Sequence, residues 1–335
     1  MINSIRMAAT ENKTAAGGGG TGSLVSVVLS FRNEEAVLPE LIRRLQETLG
    51  PLPVRYELIF VNDTSTDRSL EILREARHAD PRIKIMNMSR RWGVSECTLA
   101  GIAYARGDAV IMMDADLQDP PELLPTLIEK WQQGADVVNT VRLARAGESR
   151  LKVFLTGCAY RLIRLISNVD LPRECGDFKL MSRRVVNEVV KLQHEKDPYL
   201  RGLVRWIGFT QVELTYERQP RAGGETHYSI LRTSNPWRTL MSGITSFSNV
   251  PLYLLPAVGL LICAAALVVL VAAVARLAMG CSAVSPFGLI LFTMLIVAVN
   301  SCALGIMAVY IGRIYNEVRS RPNYIVESFE GFDEA

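Results

Sequence analysis

Residues 113–122, MDADLQDPPE, place two aspartates two positions apart at the end of an apolar run. Asp114 and Asp116 could share a divalent cation with a diphosphate, because Mg²⁺ and Mn²⁺ prefer oxygen ligands and usually bridge substrate phosphates. Gln118 could add a neutral oxygen ligand. The same residues could instead form a capped acidic turn that binds nothing. The elements around this segment decide between a metal site and a turn.

Apolar runs alternate with helical stripes on both sides of this segment. Strands are predicted at 24–30, 56–63, 83–89, 109–116 and 135–142, and helices at 36–49, 66–76, 95–106 and from Pro120-Pro121 onward. Strands that alternate with helices predict a parallel sheet covered on both faces. The fold class is therefore α/β, and ligands bind such sheets at the carboxyl ends of the strands.

A polar cluster follows each of the five predicted strands. The clusters are 32–34, 62–63, 89–90, 114–116 and 142. Loops are polar in most proteins, so each cluster alone indicates little, but five at one predicted edge favour a ligand site. Asp63 is predicted to contact a base or ribose, and Asp67 or Thr66 to cap the following helix.

Two long stretches without charge, 250–275 and 286–312, follow this domain. Each exceeds the roughly 20 residues that a helix needs to cross a bilayer. The loop between them carries only Arg276, whereas the outer flanks carry Arg232, Arg238, Arg313, Arg319 and Arg321. The positive-inside rule then predicts a multi-pass protein of the plasma (inner) membrane with its catalytic domain and both termini in the cytoplasm. Two buried core helices are the alternative.

The first 22 residues are predicted to be a disordered tail. Their GGGGTG matches the dinucleotide-binding pattern by letters, but that fingerprint follows a strand and opens a helix, whereas these glycines precede the first strand. The six cysteines are scattered without a CxxC pair, which fits a reducing cytosol and argues against a zinc site. A net charge of +3 without a basic cluster predicts no nucleic-acid partner.

Five segments together resemble a known enzyme family: FRNEE (31–35), VNDTSTD (61–67), SRRWGVSECTLAGIAYARGD (89–108), MDADLQDPPE (113–122) and GDFKLMSRR (176–184). They resemble family 2 glycosyltransferases of the polyprenyl-phosphate type, relatives of dolichyl-phosphate mannose synthase and bacterial GtrB-like glucosyltransferases. The resemblance covers about residues 24–320. It implies a GT-A fold, an inverting mechanism, a nucleotide-sugar donor and a lipid-phosphate acceptor.

The resemblance also implies roles for particular residues. These are, for the metal ion, Asp114, Asp116 and Gln118; for the nucleotide-sugar, Glu34, Asp63 and Asp114; for the acceptor phosphate, Arg142, Lys152, Thr156, Arg218 and Arg221; and for catalysis, Asp116, Asp177 and Arg142. Simpler interpretations are a solvated charge for Lys152, a solvated loop around Arg218 and Arg221, and a buried structural carboxylate for Asp177.

Some positions depart from the family pattern. Asn62 stands where an aspartate is usual, Thr64 replaces a glycine, RWGV at 91–94 replaces NFGK, and Asn139-Thr140 replaces a tyrosine-glycine pair. These departures bear on the donor sugar rather than on the reaction class.

The resulting domain prediction is a tail at 1–22, a GT-A domain at 23–230, an interfacial amphipathic helix at 231–249, membrane helices at 250–275 and 286–312, and a cytosolic tail at 313–335. The predicted activity is transfer of one sugar, from a UDP-sugar by resemblance, to polyprenyl (undecaprenyl) phosphate, with Mg²⁺ or Mn²⁺, for cell-envelope glycan modification. A processive polysaccharide synthase and a non-catalytic membrane scaffold are the alternatives. GLVRW at 202–206 lacks the glutamine of the QxxRW motif of such synthases. The family includes tetramers, so a homo-oligomer is an open expectation.

Overall fold

The computed structural model describes residues 22–142, 175–192, 200–217, 250–279 and 286–332. Within these residues one mixed sheet has the strand order β7-β5-β6-β4-β1-β2-β3-β8. Its strands are β1 (Leu24–Phe31), β2 (Arg55–Asn62), β3 (Ile83–Met88), β4 (Ala109–Asp114), β5 (Val137–Arg142), β6 (Cys175–Ser182), β7 (Gln211–Tyr216) and β8 (Val326–Glu330). Only β6 and β8 run antiparallel to their neighbours, so the predicted, mostly parallel sheet is confirmed.

Helices cover both faces of the sheet. They are α1 (Leu38–Leu49), α2 (Ser69–Ala79), α3 (Val94–Tyr104), α4 (Leu124–Gln132, after a short 3-10 helix at Pro121–Leu123), α5 (Arg183–Lys191) and α6 (Leu200–Trp206). Alternate residues of each central strand enter opposite cores: Phe60 belongs to the core that includes residues of α1, α2 and α4, whereas Ile59 and Val61 belong to the core that includes residues of α3, α5 and α6. Burial of each such side chain stabilises the fold by roughly 1.5–3 kcal/mol.

Helix α3 lies unusually close to the sheet at Gly101. A Cβ atom at this position would stand 2.3 Å from Cγ1 of Val28 and 3.0 Å from Cγ2 of Val61. Because no side chain fits there, glycine sets the distance between α3 and strands β1 and β2. The close packing fixes where the N-terminus of α3 meets the ends of those strands.

Two long apolar helices follow the sheet strands, α7 (Val250–Ala278) and α8 (Pro286–Val318). Leu260 and Leu261 are 75% and 72% exposed, so α7 is not a buried core helix. Both helices contain stretches long and apolar enough to cross a membrane, at Leu252–Arg276 and Phe292–Val318. Helix α8 continues six residues beyond the predicted end at 312.

The chain returns from α8 to the sheet. Strand β8 pairs antiparallel with β3, with Met88 opposite Val326 and Ile85 opposite Glu330. The backbone N–H of Ser89 donates to the carbonyl oxygen of Ile325 at 3.0 Å. Part of the predicted cytosolic tail is therefore an edge strand, which the domain prediction did not foresee.

Candidate functional site

The ends of the parallel strands align at one edge of the sheet. Ser30 lies opposite Asp114, Phe31 lies opposite Asn62, and Asn62 lies opposite Asn87. The loops that follow β1, β2, β3 and β4 consequently open side by side. We call this the carboxyl edge, and the opposite end of the same strands the amino edge.

Strands β5 and β6 extend the carboxyl edge. Arg142 ends β5 there, opposite Tyr216 at the end of β7. Because β6 runs antiparallel to β4, its first residues lie at the same edge. Met112 lies opposite Lys179, the last pair of the β4–β6 ladder, and both Asp114 and Asp177 lie beyond this pair, toward the carboxyl edge.

A β-bulge lies where β6 meets β5 at this edge. Asn139 is opposite Lys179, yet Val141 is opposite Cys175, so β6 contains two more residues than β5 over this interval. Asp177 lies within the bulged segment. Bulges are common next to active sites, where they redirect side chains.

The acidic turn after β4 alternates between core and edge. The side chains of Ala115 and Leu117 are buried, while those of Asp114, Asp116 and Gln118 are half-buried. Asp116 Oδ1 accepts the backbone N–H of Gln118 at 3.1 Å. Asp116 Oδ2 makes no hydrogen bond with a described residue. The capped turn and the metal-site interpretation are therefore compatible, since Asp116 caps the turn with one oxygen.

The acidic loop is held from two directions. The fully buried Asp119 accepts a hydrogen bond from the hydroxyl of Tyr216 at the end of β7. Glu122 receives two hydrogen bonds from the guanidinium of Arg44 on α1, at 2.6 and 2.8 Å. Asp119 thus anchors the loop, a role that sequence reasoning missed because its partner is 97 residues away.

Asp63 lies at the N-terminus of α3. Its carboxylate accepts the backbone N–H of Trp92 at 2.7 Å and that of Gly93 at 3.2 Å. Burial, and then the Asp63 carboxylate, raise the pKa of the Cys97 thiol, which stays protonated and donates to Asp63. Asp63 therefore positions the loop at 89–93, and its predicted contact with a nucleotide remains a prediction.

The loops after β1 and β2 bind each other. The N–H of Glu34 donates to Ser69 Oγ at 2.9 Å, and the N–H of Glu35 donates to Asp67 Oδ2 at 3.1 Å. Asp67 Oδ1 accepts the N–H of Ser69, the first residue of α2, although Arg68 rather than Asp67 stands at the N-cap position. These contacts hold the buried Glu34 beside the end of β2.

Strained backbone is concentrated at this edge. Asn33, Thr64 and Leu117 have φ values of 53°, 53° and 56°, in the left-handed region that L residues rarely adopt. They follow β1, β2 and β4 respectively. Such strain persists where surrounding contacts impose it and is common at ligand sites.

The described residues contain no group of three or more His, Cys, Asp and Glu side chains that could hold a metal ion. Mg²⁺ is usually bound by one or two carboxylates together with substrate phosphates. The acidic turn offers two carboxylates and the Gln118 amide, a donor set that fits such an ion when a diphosphate completes the coordination.

Comparison with known proteins assigns the family. Residues 26–190 match the family described as Glycosyl transferase family 2. The uncharacterized glycosyltransferase YkcC of Bacillus subtilis (strain 168) is 41% identical over 309 residues, which are 92% of this chain and 94% of that protein. The chain belongs to glycosyl transferase family 2. The mixed, mostly parallel sheet of this glycosyltransferase is that of the GT-A fold.

Other relatives of this glycosyltransferase have more specific names. A prophage bactoprenol glucosyl transferase homolog of Escherichia coli (strain K12) is 33% identical, with coverage of 90% of this chain and 98% of that protein. The solved mannosyltransferase PcManGT from Pyrobaculum calidifontis has a TM-score of 0.46 at 17% identity, over 93% of this chain and 90% of that one. A likeness at that score carries no conclusion about ligands.

Several predicted elements of this glycosyltransferase lie outside the described residues. These are Lys152, Thr156, Arg218, Arg221, the interfacial helix at 231–249 and all but the last residue of the tail at 1–22. The backbone of Arg142 is described and its side chain is not. The carboxyl edge brings together Glu34, Asp63, Asp114, Asp116, Gln118 and Asp177 from four segments of the chain.

Proposed function

We propose that this glycosyltransferase transfers a single sugar from a nucleotide-sugar to a polyprenyl phosphate at the cytosolic membrane face. Undecaprenyl phosphate is the acceptor and a UDP-sugar the donor that we favour. Three kinds of observation support the proposal: relatives named bactoprenol glucosyl transferase, the acidic carboxyl edge, and the connections to the apolar helices. The product would serve cell-envelope glycan modification.

The convergence of acidic loops carries the proposal. Asp63 and Glu34 approach the edge from β2 and β1, Asp114 and Asp116 from β4, and Asp177 from β6. Nucleotides bind open α/β sheets in the crevice outside the carboxyl ends of the strands. A nucleotide lying over β1 and β2 would extend its diphosphate toward the acidic turn after β4.

The connections to α7 and α8 support an acceptor in a membrane. The chain leaves β7 at Tyr216, on the carboxyl edge, and re-enters β8 opposite Met88, the last residue of β3. Val318 and Val326 are eight residues apart, so α8 ends within roughly 28 Å of that edge. The candidate site would therefore face the bilayer, with residues 231–249 as the interfacial helix.

The same connectivity supports the proposed topology. Strands β7 and β8 belong to one sheet, so Tyr216, before α7, and Val326, after α8, lie on the same side of any bilayer. Two crossings satisfy this requirement and one does not. Together with the arginine-rich flanks, this favours a cytoplasmic catalytic domain.

The chemistry requires no strong general base. A phosphate monoester is largely dianionic near neutral pH, because its second pKa is about 6. One of its oxygens would attack the anomeric carbon, the bond from that carbon to the diphosphate would break, and the nucleoside diphosphate would leave with inversion. Arg142, with Lys152 and Thr156, would bind the acceptor phosphate. Arg218 and Arg221 would guide the lipid head group.

Asp114, Asp116 and Gln118 would hold the divalent ion, Mg²⁺ or Mn²⁺, whose charge would offset that of the departing diphosphate. Asp116 is suited to this role because only one of its oxygens is occupied by the Gln118 N–H. Asp177 would lie beside Asp114 and orient the reacting sugar.

The proposal is tested with full-length protein in detergent, undecaprenyl phosphate, Mg²⁺ or Mn²⁺, and a panel of UDP-, GDP- and dTDP-sugars. Mass spectrometry would detect a lipid phosphate carrying one sugar, and NMR coupling constants would give its anomeric configuration. We expect one product that disappears with EDTA and has the opposite configuration to the donor. Asp116→Asn is the inactive control.

The other outcomes also separate the alternatives. Lipid-linked products with several sugars would support a processive synthase. Nucleotide binding without any product from the whole panel would contradict the proposal and favour a scaffold. A product insensitive to EDTA would contradict the metal assignment alone.

A further inference from the structure

One side chain of β3 links the C-terminal strand to the candidate donor site. Asn87 Nδ2 donates to Ser328 Oγ on β8 at 3.0 Å and to Glu330 Oε1 at 3.2 Å. On its other side, Asn87 Oδ1 accepts Asn62 Nδ2 at 3.0 Å. Both asparagines are buried, so their amides depend on these partners rather than on water.

The hydrogen bonds continue into the loops at the carboxyl edge. Asn62 Oδ1 accepts the N–H of Ser65 at 2.8 Å, and Ser65 Oγ accepts the N–H of Asn33 at 3.1 Å. The first bond shapes the loop that begins with Asp63, and the second reaches the loop that contains Glu34. Asn87 is therefore two hydrogen bonds from a loop that carries a predicted nucleotide contact.

Contacts with helices α2 and α3 hold strand β8 in place. The guanidinium of Arg74 on α2 binds the Glu330 carboxylate at 2.8 and 3.1 Å. Phe329 packs on Tyr104 of α3, with ring centroids 4.8 Å apart. Glu330 and Ser328 are thus held as acceptors for Asn87. In a chain without β8, the Asn87 amide would lose both acceptors.

We propose that Asn87 is a positioning residue for the donor nucleotide and that β8 completes the donor site by holding it. Asn87 acts through Asn62, which shapes the loop around Asp63. The inference rests on the proposed function for the identity of the ligand. It makes donor binding depend on a strand that the chain reaches only after both apolar helices.

The test measures transfer by full-length protein in detergent, with UDP-glucose as donor, and UDP binding by isothermal titration calorimetry. Asn87→Ala is expected to raise the donor KM and the UDP Kd about tenfold, the effect of losing one to two hydrogen bonds. The acceptor KM should change less than about twofold. Ser328→Ala, a milder change on β8, should raise the donor KM about two- to threefold.

A double-mutant cycle tests the route through Asn62. If Asn87 acts through Asn62, the Asn87→Ala effect on donor KM should nearly vanish in an Asn62→Ala background. Gln46→Ala is the matched control, because it removes a part-buried amide hydrogen bond, to Asp80 at 2.8 Å, that shares no residue with the Asn87 contacts; its donor KM should stay within about twofold of wild type. Thermal unfolding of every variant identifies loss of fold.

The outcomes are distinguishable. Wild-type protein that forms no product from any nucleotide-sugar of the panel contradicts the proposed function, whereas the UDP Kd of the variants still tests the inference. Active wild type with an unchanged donor KM in folded Asn87→Ala and Ser328→Ala overturns the inference alone. Additive effects in the cycle, or an equal rise in Gln46→Ala, would also overturn it, since the asparagine pair would then have no specific role.

Discussion

The buried carboxylates at the two edges of the sheet have different hydrogen-bond and ion-pair partners. At the amino edge, Glu57 binds Lys84 Nζ at 2.7 Å, the Ser26 hydroxyl, and the N–H of Arg106 at 2.8 Å. Asp136 there binds the guanidinium of Arg184. At the carboxyl edge, Asp63 is equally buried but forms no ion pair among the described residues; its partners are two backbone N–H groups and a thiol.

We propose that this difference separates structural carboxylates from those that bind a ligand. The exposed fraction of the residue does not distinguish the two kinds, because Glu57 and Asp63 are 4% and 6% exposed. A carboxylate neutralised by a neighbouring cation stabilises the fold and has little charge left for a ligand. A carboxylate held by N–H groups keeps its charge and position for a bound partner. The partners of a buried carboxylate are thus more informative about its role than its degree of burial.

The largest effect should come from Asp116→Asn at the carboxyl edge. Asparagine keeps the oxygen that accepts the Gln118 N–H but removes the charge needed for a divalent ion. We expect kcat to fall by at least about 10³-fold, with a melting temperature close to that of wild type. Product formation by mass spectrometry measures this.

Asp136→Asn is the matched control at the amino edge. The same chemical change there should lower the melting temperature and leave kcat per folded molecule near wild type. If Asp116→Asn lost stability and Asp136→Asn lost kcat, the distinction between the edges would be wrong.

Glu57→Gln should give the largest loss of stability. The change leaves the buried Lys84 without its counter-charge, which typically costs about 3 kcal/mol in the free energy of unfolding. Urea denaturation measures this. A loss below about 1 kcal/mol would place Glu57 with the weak surface ion pairs.

The same variant makes a prediction about pH. Burial pushes the pKa of Glu57 up, but hydrogen bonds from Lys84, Ser26 and Arg106 outweigh it, and the net pKa lies below the usual 4.5. A depressed folded-state pKa contributes stability that is present above pH 4.5 and is lost as the pH falls through the folded value. Glu57→Gln should therefore show a weaker loss of stability on acidification than wild type.

The central sheet was predictable because its signals are local. Strands β1 to β5 are apolar runs buried on both faces, and each lies within two residues of its predicted bounds. The contact of Asp67 with the start of α2 was predictable for the same reason, since its partner Ser69 is two residues away. The acidic turn was predictable because the residues that shape it are close in sequence, as in the contact between Asp116 and the N–H of Gln118.

The missed features depend on distant partners. Strand β8, with the sequence VESFE, is short, polar and half exposed, and its partner β3 lies more than 200 residues earlier. Asn87 meets Ser328 across 241 residues and Asp119 meets Tyr216 across 97. The hydrophobic periodicity of a short sequence segment contains no information about such distant pairs, so only the folded sheet reveals them. The bulge around Asp177 belongs to the same class.

Arg142→Ala tests the acceptor half of the carboxyl edge. Arg142 ends β5 on the side of the sheet away from β1 and β2, where the nucleotide is proposed to lie. Loss of charged hydrogen bonds to a phosphate should raise the KM for undecaprenyl phosphate by roughly 10- to 100-fold. The donor KM should change less than about threefold.

Steady-state kinetics with each substrate varied in turn measure both constants. Arg205→Ala, on α6 and outside the carboxyl edge, is the control for loss of an arginine charge. A larger rise in donor KM than in acceptor KM would move Arg142 to the donor half.

The smallest effect concerns strain at the carboxyl edge. Thr64 adopts a φ of 53°, which costs a β-branched residue roughly 1–2 kcal/mol and costs glycine almost nothing. Glycine loses more backbone entropy on folding, about 0.5–1 kcal/mol, and would lack the Thr64 hydroxyl contact with the Asp63 carbonyl. Thr64→Gly should therefore raise the free energy of unfolding by only about 0.5 kcal/mol, measured by urea denaturation. Thr66→Gly, in the same loop but without a positive φ, should lower it; equal losses in both variants would show that the left-handed backbone at Thr64 is not strained.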